Sequence, residues 1–268
     1  GASLVAGSSI TGAGTLRMVS GNPNATNTYA GTLNVTNLVS DSGTHAVNTN
    51  AVVTDATFSG SSTLEGSGLL SVNNRLIWAG GTMRGTGITR VVNTGELRIT
   101  TTTHTLSRTL ESNGSARWTG GQLTFTNGTL INNGTFIANS DVALNAFGGF
   151  DSPTPVNLIV NNGNFIKQGL GETAFRISST TVPFNNAGNV EVQAGTLSIE
   201  AGGSSTGSFV TQAGATLQLG GAHTVSTAGS FTGAGTTRLV SGSAPNTSTI
   251  NAPITVGNFE ITGATFAV

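Results

Sequence analysis

Apolar and polar residues alternate along this chain in runs of four or five residues, and a glycine opens most runs. The stretch Gly114–Ala138, GSARWTGGQLTFTNGTLINNGTFIA, shows the plan, with glycines at Gly114, Gly121, Gly128 and Gly134 leading four successive runs. Each run is too short for a helix, and its Thr, Phe, Leu and Ile content with period-2 alternation predicts a strand. Asn-Gly and Thr-Gly steps between runs predict corners, where glycine supplies positive φ. The plan returns in Gly188–Val192, Gly195–Ile199 and Gly214–Leu219. Val190, Val192, Leu197, Ile199, Leu217 and Leu219 are expected to point inward, and Glu191, Ser198 and Gln218 outward. No segment carries the i, i+3, i+4 pattern of a helix over three turns.

Strand, corner and strand again, with about 20 residues per circuit, predict a coil stacked on copies of itself. Ile77-Trp78-Ala79-Gly80-Gly81-Thr82-Met83 resembles Arg117-Trp118-Thr119-Gly120-Gly121-Gln122-Leu123 two such circuits later. A longer repeat is also present. TGAGTLRMVSG at Thr11–Gly21 returns as TGAGTTRLVSG at Thr232–Gly242, and the match runs without a gap from residues 11–47 to residues 232–268. The expectation is an all-β, parallel β-helix (β-solenoid) with three short strands per coil. It would be continuous over residues 1–268 and a slice of a longer repeat array, with the last coils back in the phase of the first. Residues 139–156 break the glycine rhythm and hold Pro153 and Pro155, so an irregular loop excursion is expected there. Residues 43–60 also read as ragged.

Composition sharpens this picture. Charged residues are 8% of the 268, against roughly 25% in ordinary soluble domains. Lys167 is the single lysine and cysteine is absent, so disulfide and thiol chemistry are excluded. A net charge of −1 gives no steering toward nucleic acid. No apolar run reaches the roughly 20 residues of a transmembrane helix. The chain opens Gly-Ala with no leader pattern, which places any signal peptide or anchor outside it.

RLIWAGGTMRGTG, the NNGTF of Asn132–Phe136, VEVQAGTLSIEAGGSSTGSF and GATLQLGGAHTVS resemble the glycine-rich repeats of large bacterial surface and secreted proteins. Those are adhesin-like and autotransporter-passenger-like parallel β-helices. The likeness covers most of residues 60–240. It implies a right-handed parallel β-helix serving as stalk, filament or adhesive surface, outside the cell or on its surface. It carries no catalytic residues over to this chain.

Other parallel β-helices are polysaccharide lyases or hydrolases, which need paired carboxylates or acids with a base. Here the acids are scattered, and only Asp141, Asp151 and Glu172 are candidates to meet, near the expected loop. His45, His104 and His223 lack metal-ligand spacing and read as surface residues. No catalytic, cofactor or metal site is expected. Six of the nine arginines, Arg75, Arg84, Arg90, Arg98, Arg108 and Arg117, lie in one stretch. They form either a basic strip for glycans or a neighbouring subunit, or a set of ion pairs between coils. Trp78 and Trp118 are either sugar platforms or core fillers. The run Thr100–Thr103, followed by His104-Thr105, raises ice binding, which requires Thr-x-Thr in register on successive coils; only this run is dense in threonine.

The leading expectation is a non-enzymatic structural or adhesive β-solenoid. Its partners would be other copies, end to end or laterally, or glycans. The alternatives are a carbohydrate-binding or carbohydrate-active β-helix and an ice-binding solenoid.

Overall fold

The structure, a computed structural model, describes residues 1–20, 22, 25–149, 157–240 and 247–263. Among them are 29 strands and no helix, stacked as a parallel β-solenoid of about 12 turns with about 21 residues per turn. The chain divides into two compact units, Gly1–Leu130 and Ile131–Val268.

In the first unit each coil has three faces but often only two strands. Ser9–Met18, Thr32–Ser40, Ala51–Phe58 and Leu69–Trp78 each run through a corner and serve two faces. The register slips at the corner, between Gly12 and Thr15 in one pair and between Val53 and Asp55 in another. A bulge bends a strand without ending it, so the expected three short strands become one long and one short. Residues 43–60, expected to be ragged, form the regular strands Thr44–Val47 and Ala51–Phe58. Their corner lacks glycine. Instead the Asn48 and Asn50 side-chain oxygens accept the backbone N–H groups of Ser67 and Leu69 from the next coil.

The core of this unit is a set of inward columns. Leu38, Ala56, Leu76, Leu97 and Ala116 stack in register, and beside them stack Ser40, Phe58, Trp78, Ile99 and Trp118. Volume is shared within two of these rungs: Ala56 lies beside Phe58 and Ala116 beside Trp118. Small-with-large pairing fills a narrow interior at constant width, as close packing demands. The two tryptophans sit two rungs apart, as their sequence spacing predicts.

In the second unit the three-strand coil is complete. Asn189–Val192, Thr196–Ile199 and Gly203–Ser205 pair in turn with Ser208–Thr211, Thr216–Leu219 and His223–Val225. One inward column is largely aromatic: Phe136, Phe165, Val190, Phe209 and Phe231. Phe136 stacks on Phe165 at 5.4 Å, and Phe209 on Phe231 at 4.9 Å. Val190, Val192, Leu197, Ile199, Leu217 and Leu219 are all buried as expected. Ser198 is buried too, against expectation. It lies on the outer side of its strand but is sealed beneath Glu200, to which it donates, and Gln218, which donates to it.

Gly195 and Gly214 in this unit have the expected positive φ, at 65° and 79°, but three other corner glycines have a different cause. Gly163, Gly188 and Gly207 are not in the left-handed region. They stack on one another, and a Cβ on Gly188 would lie 2.0 Å from the Gly163 carbonyl oxygen. The side chain is excluded by the coil below rather than by φ. Within the expected loop 139–156, Leu144–Gly148 is a strand paired with Thr173–Arg176. Residues 150–156, with Asp151, Pro153 and Pro155, lie outside the described residues.

The long repeat is a structural repeat as well. Thr11 pairs with Asn34, Gly12 with Val35 and Thr15 with Asn37. Their counterparts pair alike: Thr232 with Thr255, Gly233 with Val256 and Thr236 with Asn258. Both strand pairs slip register at the same corner.

Candidate functional site

The arginine stretch folds onto outward columns of the first unit, where rungs bring acids alongside. Asp55, Arg75 and Glu96 are successive members of one column. Arg75 Nε lies 3.8 Å from Asp55, Arg84 Nη2 lies 2.7 Å from Glu65, and Arg90 pairs with Glu111. Glu96 takes Arg98 at 2.8 Å and Arg117 at 3.9 Å. Five of the six arginines therefore lie in ion pairs, four of them between coils and the Arg98–Glu96 pair within a strand.

Arg108 differs. It is buried, and its guanidinium donates to the carbonyls of Gly87, Arg84 and Gly68 on the two preceding coils. Burial without a carboxylate pulls it down to about 10. Gly87 leaves room that the guanidinium fills, since a Cβ there would lie 2.5 Å from Arg108 Nη2. Lys167 is the counterpart in the second unit. It occupies an inward position, donates to the carbonyls of Gln168 and Gly169, and is lowered by burial to about 8. Both lie in phase with inward apolar residues, Arg108 with Leu106 and Leu110 and Lys167 with Phe165, the alternation signal that could have marked them.

Trp78 and Trp118 are 1% and 0% exposed. Both are core residues with no face open to a sugar. His104 packs edge-on to Trp78 at 4.8 Å, and its Nε2 lies 2.9 Å from the Trp78 carbonyl oxygen.

All three histidines are buried, which corrects the surface reading. Each falls at an inward position of a strand, as in the column Asn27, His45, Leu64. Burial lowers all three below the ordinary histidine range, His223 to about 4. The Nε2 of His223 lies 3.0 Å from Ser205 Oγ, while its Nδ1 has no partner among the described residues. The unfolded chain takes up these protons below about pH 6.5, whereas folded His223 refuses its own until about pH 4. The unfolded state thus binds more protons in that window. Stability is expected to be full above about pH 6.5 and to fall as pH drops toward 4. Urea titrations across that range check this, and His223→Gln should flatten the slope. A slope unchanged by the substitution would contradict it.

Of the acids proposed to meet, the two in the described residues have separate partners. Asp141 accepts the backbone N–H of Leu170, Glu172 pairs with Arg176 at 2.6 Å, and Asp151 lies outside the described residues. Arg176 also holds Glu200 at 2.7 Å and Asn145 at 2.8 Å, so all three of its nitrogens are occupied. Among the described residues no group of three metal-ligating side chains converges. A shallow groove of about 320 Å³ runs beside the corner at Thr11–Ala13, lined also by Asn34, Val35, Thr36 and Thr54. Its lining has hydroxyls and an amide but no carboxylate, arginine or aromatic ring.

The dense Thr100–Thr103 run lies at a corner, with Thr101 at φ 48°. What stacks is a different set. Thr26, Thr44, Thr63, Thr82, Thr105 and Thr124 pair in unbroken register on one outer face of the first unit. No helix among the described residues is long and apolar enough to cross a membrane. No protein-family model, curated protein or solved structure matches this chain.

Proposed function

We propose that this chain is a non-enzymatic structural β-solenoid, a scaffold segment of an adhesive protein at a cell surface or outside the cell. One observation carries the reading. The sequence has eleven acids, and each of the ten in the described residues is already bound to an arginine, an amide, a hydroxyl or a backbone N–H. Most of these contacts join one coil to the next. General acid–base catalysis needs a carboxylate free to exchange a proton with substrate, and here the carboxylates are used to tie rungs together. Such ties suit a solenoid, whose stability is a sum over neighbouring coils.

The test joins two measurements on the folded chain. Incubation with uronate and neutral polysaccharides is expected to release no reducing ends and no unsaturated products. Display of the chain on a non-adherent cell is expected to increase retention on a surface. Product release that disappears in Glu172→Gln or Arg176→Gln would replace this reading with a carbohydrate-active one.

A further inference from the structure

The threonine column on the first unit has properties that its neighbours lack. Its six members occupy successive rungs, so at the roughly 4.8 Å separation of paired strands they span about 24 Å in five equal steps. Each is the outward residue of its rung. The inward neighbours at the next position are Asn27, His45, Leu64, Met83, Leu106 and Phe125, all buried, and they fix the strand beneath. Threonine is β-branched with few χ1 options in a strand, so methyl and hydroxyl are held in a repeating order. The other polar columns of this unit satisfy themselves, as Asp55, Arg75 and Glu96 do. The hydroxyls of Thr44, Thr63, Thr82 and Thr105 make no hydrogen bond among the described residues, and Thr124 accepts only a 3.4 Å contact from Gln122. Charge beside the column is neutralised, since Glu65 and Arg84 bind each other at 2.7 Å.

We infer that this column is a binding face for ordered water, and that through it the protein adsorbs to ice. Hydroxyls at fixed spacing, four of the six unpaired among the described residues, are left to bond water. Methyl groups held between them limit where that water sits. The resulting row repeats with the rungs at roughly 4.8 Å, close to the repeat of the ice lattice. It carries one threonine per coil in place of Thr-x-Thr, since the positions two along from Thr44, Thr63 and Thr82 are Ala46, Glu65 and Arg84. A glycan lattice is the weaker occupant. Sugars are gripped by aromatic faces, and both tryptophans are inside the core. The inference goes beyond the scaffold proposal and stands or falls separately from it.

The experiment is ice recrystallisation inhibition by the folded chain, with observation of single ice crystals for faceting. The parent is expected to inhibit recrystallisation and to shape crystals. The double variant Thr63→Lys with Thr82→Lys interrupts the middle of the column and is expected to lose both effects while keeping its circular dichroism and Tm. Thr57→Lys, on the outward column with Val39 and Ile77, is expected to retain them. Should the lysine pair fail to fold, Thr63→Ala with Thr82→Ala removes the same methyls and hydroxyls at smaller cost and is expected to show the same loss. An inactive parent, an active double variant, or equal loss in Thr57→Lys would overturn the inference. Retention on chitin or cellulose powder with no effect on ice would overturn it too.

Discussion

Phe165→Ala is expected to lower the unfolding free energy of the second unit by about 3–5 kcal/mol, the range for emptying a buried phenylalanine site. Phe165 is 2% exposed and stands where three rings meet. Phe136 stacks on it at 5.4 Å with planes 8° apart, while Phe175 and Phe184 meet it edge-on at 5.8 and 5.5 Å. The cavity cannot close, because its walls are strands held by hydrogen bonds to the rungs above and below. The cost thus falls at the upper part of the large-to-small range. A solenoid adds a second effect. Each rung is stabilised only by its neighbours, so the loss should concentrate in the coils carrying Phe136, Phe184 and Val190. Urea denaturation measures the total, and amide exchange locates it. Phe165→Leu, which keeps most of the volume, should cost less than half as much. A loss below about 1 kcal/mol for the alanine variant would mean that the aromatic column is not the packing unit.

The inward set was legible in the sequence because period-2 alternation is a local signal. Val190 with Val192, or Leu217 with Leu219, needs only three residues to read. The spacing of Trp78 and Trp118 was legible because both belong to the same kind of coil. The residues that depend on register were not. The threonine column is the clearest case: its members are separated by 18, 19, 19, 23 and 19 residues. A search at a fixed period of about 20 passes over it. The long step has a local cause. Two residues separate Trp78 from Gly81, but four, Thr100–Thr103, separate Ile99 from His104. The run that drew notice as a threonine array is half of the extra length, and the other half lies at the preceding corner, where two residues separate Val72 from Arg75 but four separate Val91 from Glu96.

Buried cations and histidines were misread for a related reason. Composition treats Arg108, Lys167 and His223 as surface groups, because most such residues are exposed. Their inward positions follow from strand phase. Arg108 stands midway between Leu106 and Leu110, so alternation marks its position as inward, but a cation there was read by residue type instead. His223 opens a strand of three residues, too short for alternation to show.

The corner asparagines were missed although their signal is simple. Asn132-Asn133-Gly134, Asn161-Asn162-Gly163 and Asn186-Ala187-Gly188 share an Asn-x-Gly frame. Gly163 and Gly188 pack against the coil below, and the first asparagine of each frame turns inward. Asn132 Nδ2 donates to Asn161 Oδ1 at 2.7 Å, and Asn161 Nδ2 donates to Asn186 Oδ1 at 2.8 Å. Asn161 Nδ2 also reaches the carbonyls of Asn189 at 3.1 Å and Gly163 at 3.3 Å. Asn161 is fully buried, so water cannot replace what a substitution removes.

Asn161→Leu is therefore expected to destabilise the second unit by roughly 3–5 kcal/mol, as several buried groups lose partners at about 1–3 kcal/mol each. Leucine keeps the branching of asparagine and is larger, so the loss reports hydrogen bonding with some overpacking and no cavity. Asn186 Oδ1 would be left without its donor, and Asn132 Nδ2 would keep only the Asn164 carbonyl at 2.9 Å. Asn161→Asp should cost more still, because a carboxylate would face Asn186 Oδ1 and two carbonyls with no donor of its own. The decisive measurement is a double-mutant cycle with Asn186→Leu. Once Asn161 is gone, Asn186 has already lost its ladder partner, so the second substitution should cost less than it does alone. Additive losses would mean that the two amides act independently, each on its own backbone corner, and that the ladder contributes nothing as a connected unit.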